Sequence, residues 1–212
     1  MKRFLLAAGI LCALTASARA EGRTGDFDFY VLALSWSPSY CAAEGERADR
    51  LQCAGSRPYE FVVHGLWPQY ERGYPEYCDR SAPHIPRRTI DSMLDLMPSP
   101  RLVIHQWRKH GVCATREPVR YFNELREARG RIAIPPEFVN INTWRMVSPG
   151  AVESAFLRVN SGLAAKGVSV TCDGKHLREV RVCMTRDFDF RSCPELERST
   201  CRARSVAMPP SR

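Results

Sequence analysis

Two short segments of this chain place histidine side chains where they could carry protons. One segment holds His105 and His110, with Lys109 directly before the second histidine. The other lies upstream and holds His64, close to Trp67. Histidine titrates near neutral pH, so two imidazoles can serve as general acid and general base while a lysine stabilises negative charge. We expect the two segments to meet across one cleft.

The segment Leu102–Cys113 has the apolar spacing of a helix. Side chains three and four residues apart share a helix face, so His105 and Gln106 should both lie above Lys109. That face would offer groups that carry protons beside one fixed cation. Gly111 is expected to end the helix.

His64 is predicted to follow a short buried strand, Phe61–Val63, whose end delivers it to the site. Gly65 and Pro68 should force a turn immediately afterwards. Active groups are often held in this way, on a loop that a rigid strand positions.

Three histidines could instead bind zinc, for which a helix typically offers two histidines four residues apart. In this chain Lys109 lies between His105 and His110, whose spacing is one residue longer, and its charge would oppose a metal ion. The pattern therefore favours acid–base catalysis on an anion. Trp67 and Trp107 accompany the two segments, although for Trp107 a place in the core is favoured. Aromatic walls and a basic chain favour RNA, whose 2′-hydroxyl supplies an internal nucleophile.

The N-terminus predicts export. A positive start, the apolar run Phe4–Leu14 and small residues up to Ala20 form the pattern of a secretory signal peptide, residues 1–20. The run is shorter than the roughly 18 residues that span a bilayer, which argues against a membrane anchor. No later stretch is apolar enough to span, so we expect no membrane span in the mature chain. Residues 21–212 should form a single domain, in which 28 basic and 23 acidic residues leave a net charge of +5.

Cysteine usage agrees with export. Eight of the nine cysteines follow the predicted cleavage point. An even set in an exported protein indicates a disulfide framework of up to four bridges. Spacing alone does not choose the pairs, and the absence of any Cys-x-x-Cys pair weakens a zinc–cysteine interpretation.

Strand and helix patterns are mixed rather than strictly alternating, which favours an α+β fold over a parallel α/β sheet. The predicted strands are Asp26–Trp36, Phe61–Val63, Val168–Cys172 and Leu177–Met184, the last two joined by a hairpin turn. The predicted helices are Arg87–Met97, one from Ser99 through the histidine segment, Pro118–Arg129 and one that opens at Ser148. We expect residues 41–57 and 69–86 to be loops. A disulfide-bridged domain with a central antiparallel sheet flanked by helices is the expected architecture.

Two runs of the chain resemble the active-site segments of the RNase T2 family. They are residues 64–68, His-Gly-Leu-Trp-Pro, and residues 105–113, His-Gln-Trp-Arg-Lys-His-Gly-Val-Cys. Residues 27–41 are similar to the family's first core strand, and residues 171–194 to its C-terminal strands. The resemblance covers nearly all of the mature chain. It implies the T2-like α+β fold and a base-nonspecific endoribonuclease, similar to bacterial periplasmic or secreted members, that needs no metal or other cofactor.

The resemblance implies a role for each polar group in cutting single-stranded RNA by transesterification. His110 is similar to the general base that removes the 2′-hydroxyl proton, and His64 to the general acid that protonates the leaving 5′-oxygen. His105 is similar to the phosphate-binding histidine, and Lys109 to the cation that stabilises the transition state. The products would be 2′,3′-cyclic phosphates and then 3′-phosphates. DNA would be spared because it lacks the 2′-hydroxyl.

The resemblance also implies substrate contacts and disulfides. Trp67 is similar to the residue that stacks on a base, and Tyr70, Tyr74 and Tyr77 are candidates for its partner, of which we select Tyr74. The implied bridges are Cys41–Cys53, Cys78–Cys113, Cys172–Cys201 and Cys183–Cys193. We expect a monomer that acts on RNA in the periplasm or outside the cell.

One position departs from the family pattern. This chain has Gln106 where the family usually has glutamate. Glutamine carries no charge, so Gln106 either donates a neutral hydrogen bond to the phosphoryl oxygen or lowers the activity. Without that carboxylate, His105 and His110 should hold their protons less tightly. The alternative function is a catalytically weakened RNase-like protein that binds RNA or a partner, although the intact acid–base pair favours catalysis.

Overall fold

A four-stranded antiparallel sheet forms the centre of the fold, in a computed structural model that describes residues 22–55 and 57–211. The strands are β1 Phe29–Trp36, β2 Phe61–Gln69, β3 Arg145–Val147, β4 Val168–Cys172, β5 Leu177–Met184 and β6 Val206–Met208. The central sheet has the order β2-β1-β5-β4, and β3 pairs with β6 in a separate small sheet. The α+β prediction with a central antiparallel sheet is confirmed. The predicted signal peptide lies outside the described residues and stays a prediction.

Helices flank this sheet. They are α1 Ser37–Glu44, α2 Arg50–Cys53, α3 Arg87–Met93, α4 Pro100–Gln106, α5 Val112–Ala114, α6 Pro118–Gly130 and α7 Pro149–Val159. A π-helical turn, Trp107–Gly111, joins α4 to α5, and short 3₁₀ segments lie at Gly45–Arg47, Pro136–Phe138, Ala165–Gly167 and Pro194–Ser199. Across the ranges 22–55 and 57–211, no helix has the length and apolar character needed to cross a membrane.

Strand β1 lies inside the sheet and is buried on both faces, which explains its long apolar run. Leu32 and Leu34 join the main core beneath the helices, while Phe29 and Val31 join a smaller cluster on the opposite face. Ser35 is the one residue of β1 that is not fully buried. It lies where the sheet borders the candidate site described below.

Strand β2 is longer than predicted, and this changes the position of His64. The strand continues through Gly65 and Pro68 instead of turning there, so the predicted turn is wrong. The pairing register with β1 shifts by one residue on the β2 side between Val63 and Gly65, which leaves His64 as the extra residue of a β-bulge. Bulges re-aim a side chain without ending the strand. His64 therefore projects from a rigid strand interior, not from a strand end.

Gly65 and Pro68 are both compatible with this longer strand. The continuous helical segment of residues 100–114, which we call the histidine helix, packs against β2 at this point. A side chain at position 65 would collide with Gln106 and with the indole nitrogen of Trp67, so the close approach of the histidine helix requires glycine. Pro68 lies in β2, which is an edge strand of the sheet. Proline has no backbone N–H group to donate, and an edge strand tolerates this because it has a neighbouring strand on one side only.

The histidine helix also extends further than predicted. Ser99 caps α4 by accepting a hydrogen bond from the backbone of Leu102, at 3.3 Å. Gly111 does not end the helix, which continues to Ala114. A side chain at position 111 would meet the ring of Tyr121 at 2.8 Å, so this glycine serves close packing rather than helix termination. The π-helical turn adds a residue to one turn, a feature often found at functional sites.

Residues 41–57 were predicted to form a loop, and that prediction is wrong in part. They include the second half of α1 and the whole of α2, whose first turn is capped by the side chain of Asp49. Both helices are short and lack a strong apolar stripe, so their pattern was weak. The small β3–β6 sheet also escaped prediction, because strands of three residues carry little periodic signal.

Four disulfides hold the described chain: Cys41–Cys53, Cys78–Cys113, Cys172–Cys201 and Cys183–Cys193. These are the pairs that the family resemblance implies. Cys78–Cys113 joins the irregular segment after β2 to the end of the histidine helix, and thereby fixes one wall of the candidate site.

Candidate active site

A cleft of about 310 Å³ lies between β2, the histidine helix and β5. The structure brings both histidine segments to this cleft, as the sequence predicts. Its lining includes all seven residues selected for catalysis or substrate binding: His64, Trp67, Tyr74, His105, Gln106, Lys109 and His110. Tyr70 and Tyr77, the alternatives to Tyr74, do not line it.

His64 enters the cleft from the bulge in β2 and is held on two sides. Its ring meets Trp67 edge-on, with the ring centroids 5.3 Å apart. Its Nδ1 contacts the Oε1 atom of Glu179, a residue of β5. The side chain keeps 37 % of its surface exposed, so the imidazole is oriented and remains accessible to a substrate.

Glu179 was missed by the sequence analysis. It is buried, and its second carboxylate oxygen pairs with Arg181 at 2.7 Å. Burial raises the pKa of the Glu179 carboxyl, but the contacts with His64 and Arg181 outweigh burial and lower it to about 2. The group therefore stays anionic at every ordinary working pH. The sequence links Glu179 only to Arg181, since residues two apart in a strand share one face, and this spacing does not connect it to His64.

His110 lies deepest in the cleft. Its side chain is buried, and its ring centroid is 5.4 Å from that of Trp67. The Nδ1 atom is buried without a hydrogen-bond partner among the described residues. Burial, followed by the positive charge of Lys109, lowers the pKa of His110 to about 3. His110 is consequently neutral at neutral pH and able to accept a proton.

His105 and Lys109 form the more open side of the site. Burial and the charge of Lys109 lower the pKa of His105 below its ordinary value. The Lys109 ammonium is 3.4 Å from a carboxylate oxygen of Glu76, a second acidic residue that the sequence analysis missed. The backbone of Tyr77 donates a 2.9 Å hydrogen bond to the Lys109 carbonyl, so the segment after β2 also positions the lysine.

Gln106 is almost fully buried and bonds to the indole of Trp67. The Trp67 Nε1–H group donates to Gln106 Oε1 at 2.8 Å. The carbonyl oxygen is thus engaged, and only the amide nitrogen is left to donate to a phosphoryl oxygen. The pKa values of His105 and His110 do lie below the ordinary value, as expected without a nearby glutamate, but burial is the largest cause.

Trp67 is the aromatic centre of the cleft. In addition to the contacts with both histidines, it has the Arg181 guanidinium 5.1 Å from its ring centroid. Tyr74 is more than half exposed at the rim. Within the described part of the chain, no group of three His, Cys, Asp or Glu side chains has the arrangement of a metal site.

The fold and the cleft together define a class of protein: a disulfide-bridged α+β domain with an imidazole-rich site suited to an anionic substrate. The model of the Ribonuclease T2 family matches residues 27–193, and the chain belongs to that family. This confirms the resemblance carried by the two histidine segments.

Individual relatives agree with this assignment. A ribonuclease of Aeromonas hydrophila is 44% identical over 116 residues, which cover 54% of this chain and 51% of that protein. The chain therefore spans about half the length of that relative. Ribonuclease I of Escherichia coli K12 is 27% identical, and the match covers 86% of this chain and 85% of that protein. Among solved structures, RNase NT in complex with 5′-AMP has a TM-score of 0.64 at 26% identity, covering 80% of this chain and 91% of its own.

Proposed function

We propose that this protein is an endoribonuclease that cleaves single-stranded RNA through 2′,3′-cyclic phosphates to 3′-phosphates, with low base specificity. The observation that carries the proposal is the placement of His64 and His110 in one cleft, with the indole of Trp67 in contact with both rings. Lys109 and His105 line the same cleft. This arrangement offers a proton donor, a proton acceptor, one fixed cation and a further imidazole for one phosphodiester.

The first step is an internal displacement at phosphorus. His110, which is neutral, takes the proton of the ribose 2′-hydroxyl, and the 2′-oxygen forms a bond to phosphorus. The bond from phosphorus to the 5′-oxygen breaks, and His64 protonates that oxygen as it leaves. Lys109 and His105 stabilise the negative charge that develops on the phosphoryl oxygens. The step needs no group beyond these side chains and the substrate.

The second step hydrolyses the cyclic phosphate with the two proton-transfer roles exchanged. His64, now neutral, activates water, and His110 returns its proton to the 2′-oxygen. The low pKa of His110 makes its protonated form a strong acid and the neutral form dominant. This step leaves His64 protonated and His110 neutral, so it returns both histidines to their initial protonation states.

Substrate contacts follow from the same cleft. Trp67 and Tyr74 offer aromatic surface on which a base can stack, and stacking is tolerant of base identity. DNA lacks the nucleophile and would not be cut.

The predicted signal peptide and the four disulfides support export to the periplasm or medium, where a monomeric enzyme without metal or other cofactor would act on RNA.

The test is cleavage of single-stranded RNA in the presence of a metal chelator, by the wild type, His64→Ala and His110→Ala. We expect cleavage by the wild type and a loss of about 10²–10⁴-fold in each variant. His84→Ala is the matched control, because this histidine is exposed and lies outside the cleft lining. Cleavage that survives either substitution would refute the roles, and RNA binding without cleavage would favour the weakened, binding-only protein.

A further inference from the structure

We propose that Glu179 is the positioning residue of the reaction: its carboxylate holds the Nδ1–H group of His64, so that Nε2 carries the proton delivered to the leaving oxygen. This inference rests on the proposed ribonuclease function and adds a residue that lies in neither histidine segment. Glu179 does not contact the reacting atoms in this scheme. It acts through His64.

The sheet brings Glu179 of β5 and His64 of β2 together, although these two strands are not neighbours. Strand β1 separates β2 from β5, and Ser35 of β1 pairs with Val62 on one side and with Glu179 on the other. The bulge turns His64 towards this point. Ser35 is small, and its hydroxyl is 3.4 Å from the Glu179 carboxylate. The carboxylate can therefore reach over β1 to the imidazole, which a large apolar residue at position 35 would obstruct.

The partners of Glu179 divide between its two oxygens. Oε1 accepts from His64 Nδ1 and from Ser35, while Oε2 accepts from Arg181 Nε at 2.9 Å. A buried carboxylate is stable only when it is paired and hydrogen-bonded. This one is satisfied on both sides, so its position is fixed independently of substrate. A fixed acceptor also fixes the ring that it holds.

The consequence for proton transfer follows from the two ring nitrogens. A histidine whose Nδ1 faces a carboxylate keeps its proton there and uses Nε2 for exchange. When Nε2 gives its proton to the 5′-oxygen, the electron pair of the broken bond stays on that oxygen, and the ring becomes the neutral Nδ1–H tautomer. Glu179 remains an anion throughout and takes no proton, since its own pKa is about 2.

The chain contains a matched control for this arrangement. Asp173 also pairs with one histidine and one arginine, His176 at 3.6 Å and Arg178 at 3.4 Å. It lies in the turn between β4 and β5 and does not line the cleft with His64 and His110. Asp173→Asn therefore removes the same kind of charge from the same kind of pair, without altering the imidazole at the site.

The experiment compares two substrates whose leaving groups differ. A dinucleoside monophosphate releases an alkoxide that needs a proton, whereas a nucleoside 3′-(4-nitrophenyl phosphate) releases a nitrophenolate that does not. We expect Glu179→Gln to lower kcat/KM for the dinucleotide by about 10- to 100-fold and to change that for the aryl ester little. His64→Ala should show the same pattern with a larger loss. Asp173→Asn should match the wild type on both substrates.

Two further measurements separate positioning from a general structural role. In the double variant His64→Ala, Glu179→Gln, the second change should cause no further loss, because the two residues act through one imidazole. Nitrogen NMR of the wild type should find neutral His64 protonated at Nδ1. The second measurement needs no variant to fold.

The contrary results are distinct. Full dinucleotide activity in Glu179→Gln, an equal loss on both substrates, or a neutral His64 protonated at Nε2 would each overturn the role of Glu179 and leave the ribonuclease proposal standing. A wild type that cleaves neither substrate would overturn the ribonuclease proposal and this inference with it.

Discussion

Acidification of the folded protein probes the burial of His110. Burial and the charge of Lys109 lower the pKa of His110 from 6.5 to about 3. Between these two pH values the unfolded chain binds a proton at this residue that the folded chain does not, so stability is lost as the pH falls from about 6.5 towards 3. Each pH unit in that window costs up to about 1.4 kcal/mol. A step from about pH 7.5 to about pH 5 should therefore cost about 2 kcal/mol from this group alone.

The assay is unfolding in guanidinium with the disulfides intact, for the wild type and His110→Asn. Asparagine gains no proton, so the variant should lose about 2 kcal/mol less than the wild type over the same pH step. His84→Asn replaces an exposed ring and should follow the wild type. Other acid-sensitive groups, including His105, cancel in the comparison. An identical pH dependence in the wild type and His110→Asn would refute a buried, neutral His110.

Three further substitutions test other parts of the cleft. Gln106→Glu should raise the pKa of His105 and His110 by adding a negative charge, and so move the acidic limb of the kcat/KM profile to higher pH; superimposable profiles would exclude a tuning role for this position. Lys109→Ala should lower kcat by about 10²–10³-fold in steady-state kinetics, and an unchanged kcat would remove the lysine from the transition state. Trp67→Phe breaks the 2.8 Å bond to Gln106 and should cost about 1–3 kcal/mol in denaturant unfolding; full stability would show that the bond contributes nothing.

The sequence was informative where chemistry is encoded locally. Residues His105, Lys109 and His110 share one segment, and a cation next to an imidazole has no packing purpose, so their involvement could be predicted. The long apolar run of β1 likewise identified the central strand, because burial on both faces removes the usual alternation. These features depend on near neighbours in the chain.

The sequence was misleading where glycine has a packing role. Gly65 and Gly111 were interpreted as a turn and a helix end, which are the commonest uses of glycine. In the structure both lie inside regular elements, where a side chain would collide with Trp67 or Tyr121. Only the three-dimensional approach of β2, the histidine helix and α6 makes that requirement visible.

Glu179 and Glu76 could not be assigned to the site from sequence. Each pairs with a site residue from a distant part of the chain, Glu179 with His64 and Glu76 with Lys109. Such contacts depend on sheet order and on the path of an irregular segment, and neither follows from residue periodicity. The contact between Glu179 and His64 could be foreseen only with knowledge of the strand order β2-β1-β5.

In the proposed mechanism, His64 and His110 cut RNA by using its own 2′-hydroxyl. The most direct measurement is phosphorus NMR of a dinucleoside monophosphate incubated with the protein in chelator. We expect a 2′,3′-cyclic phosphate signal first, a 3′-phosphate signal later, and neither signal with His110→Ala or with a 2′-O-methyl substrate. A 5′-phosphate product, or cleavage of the 2′-O-methyl substrate, would contradict it.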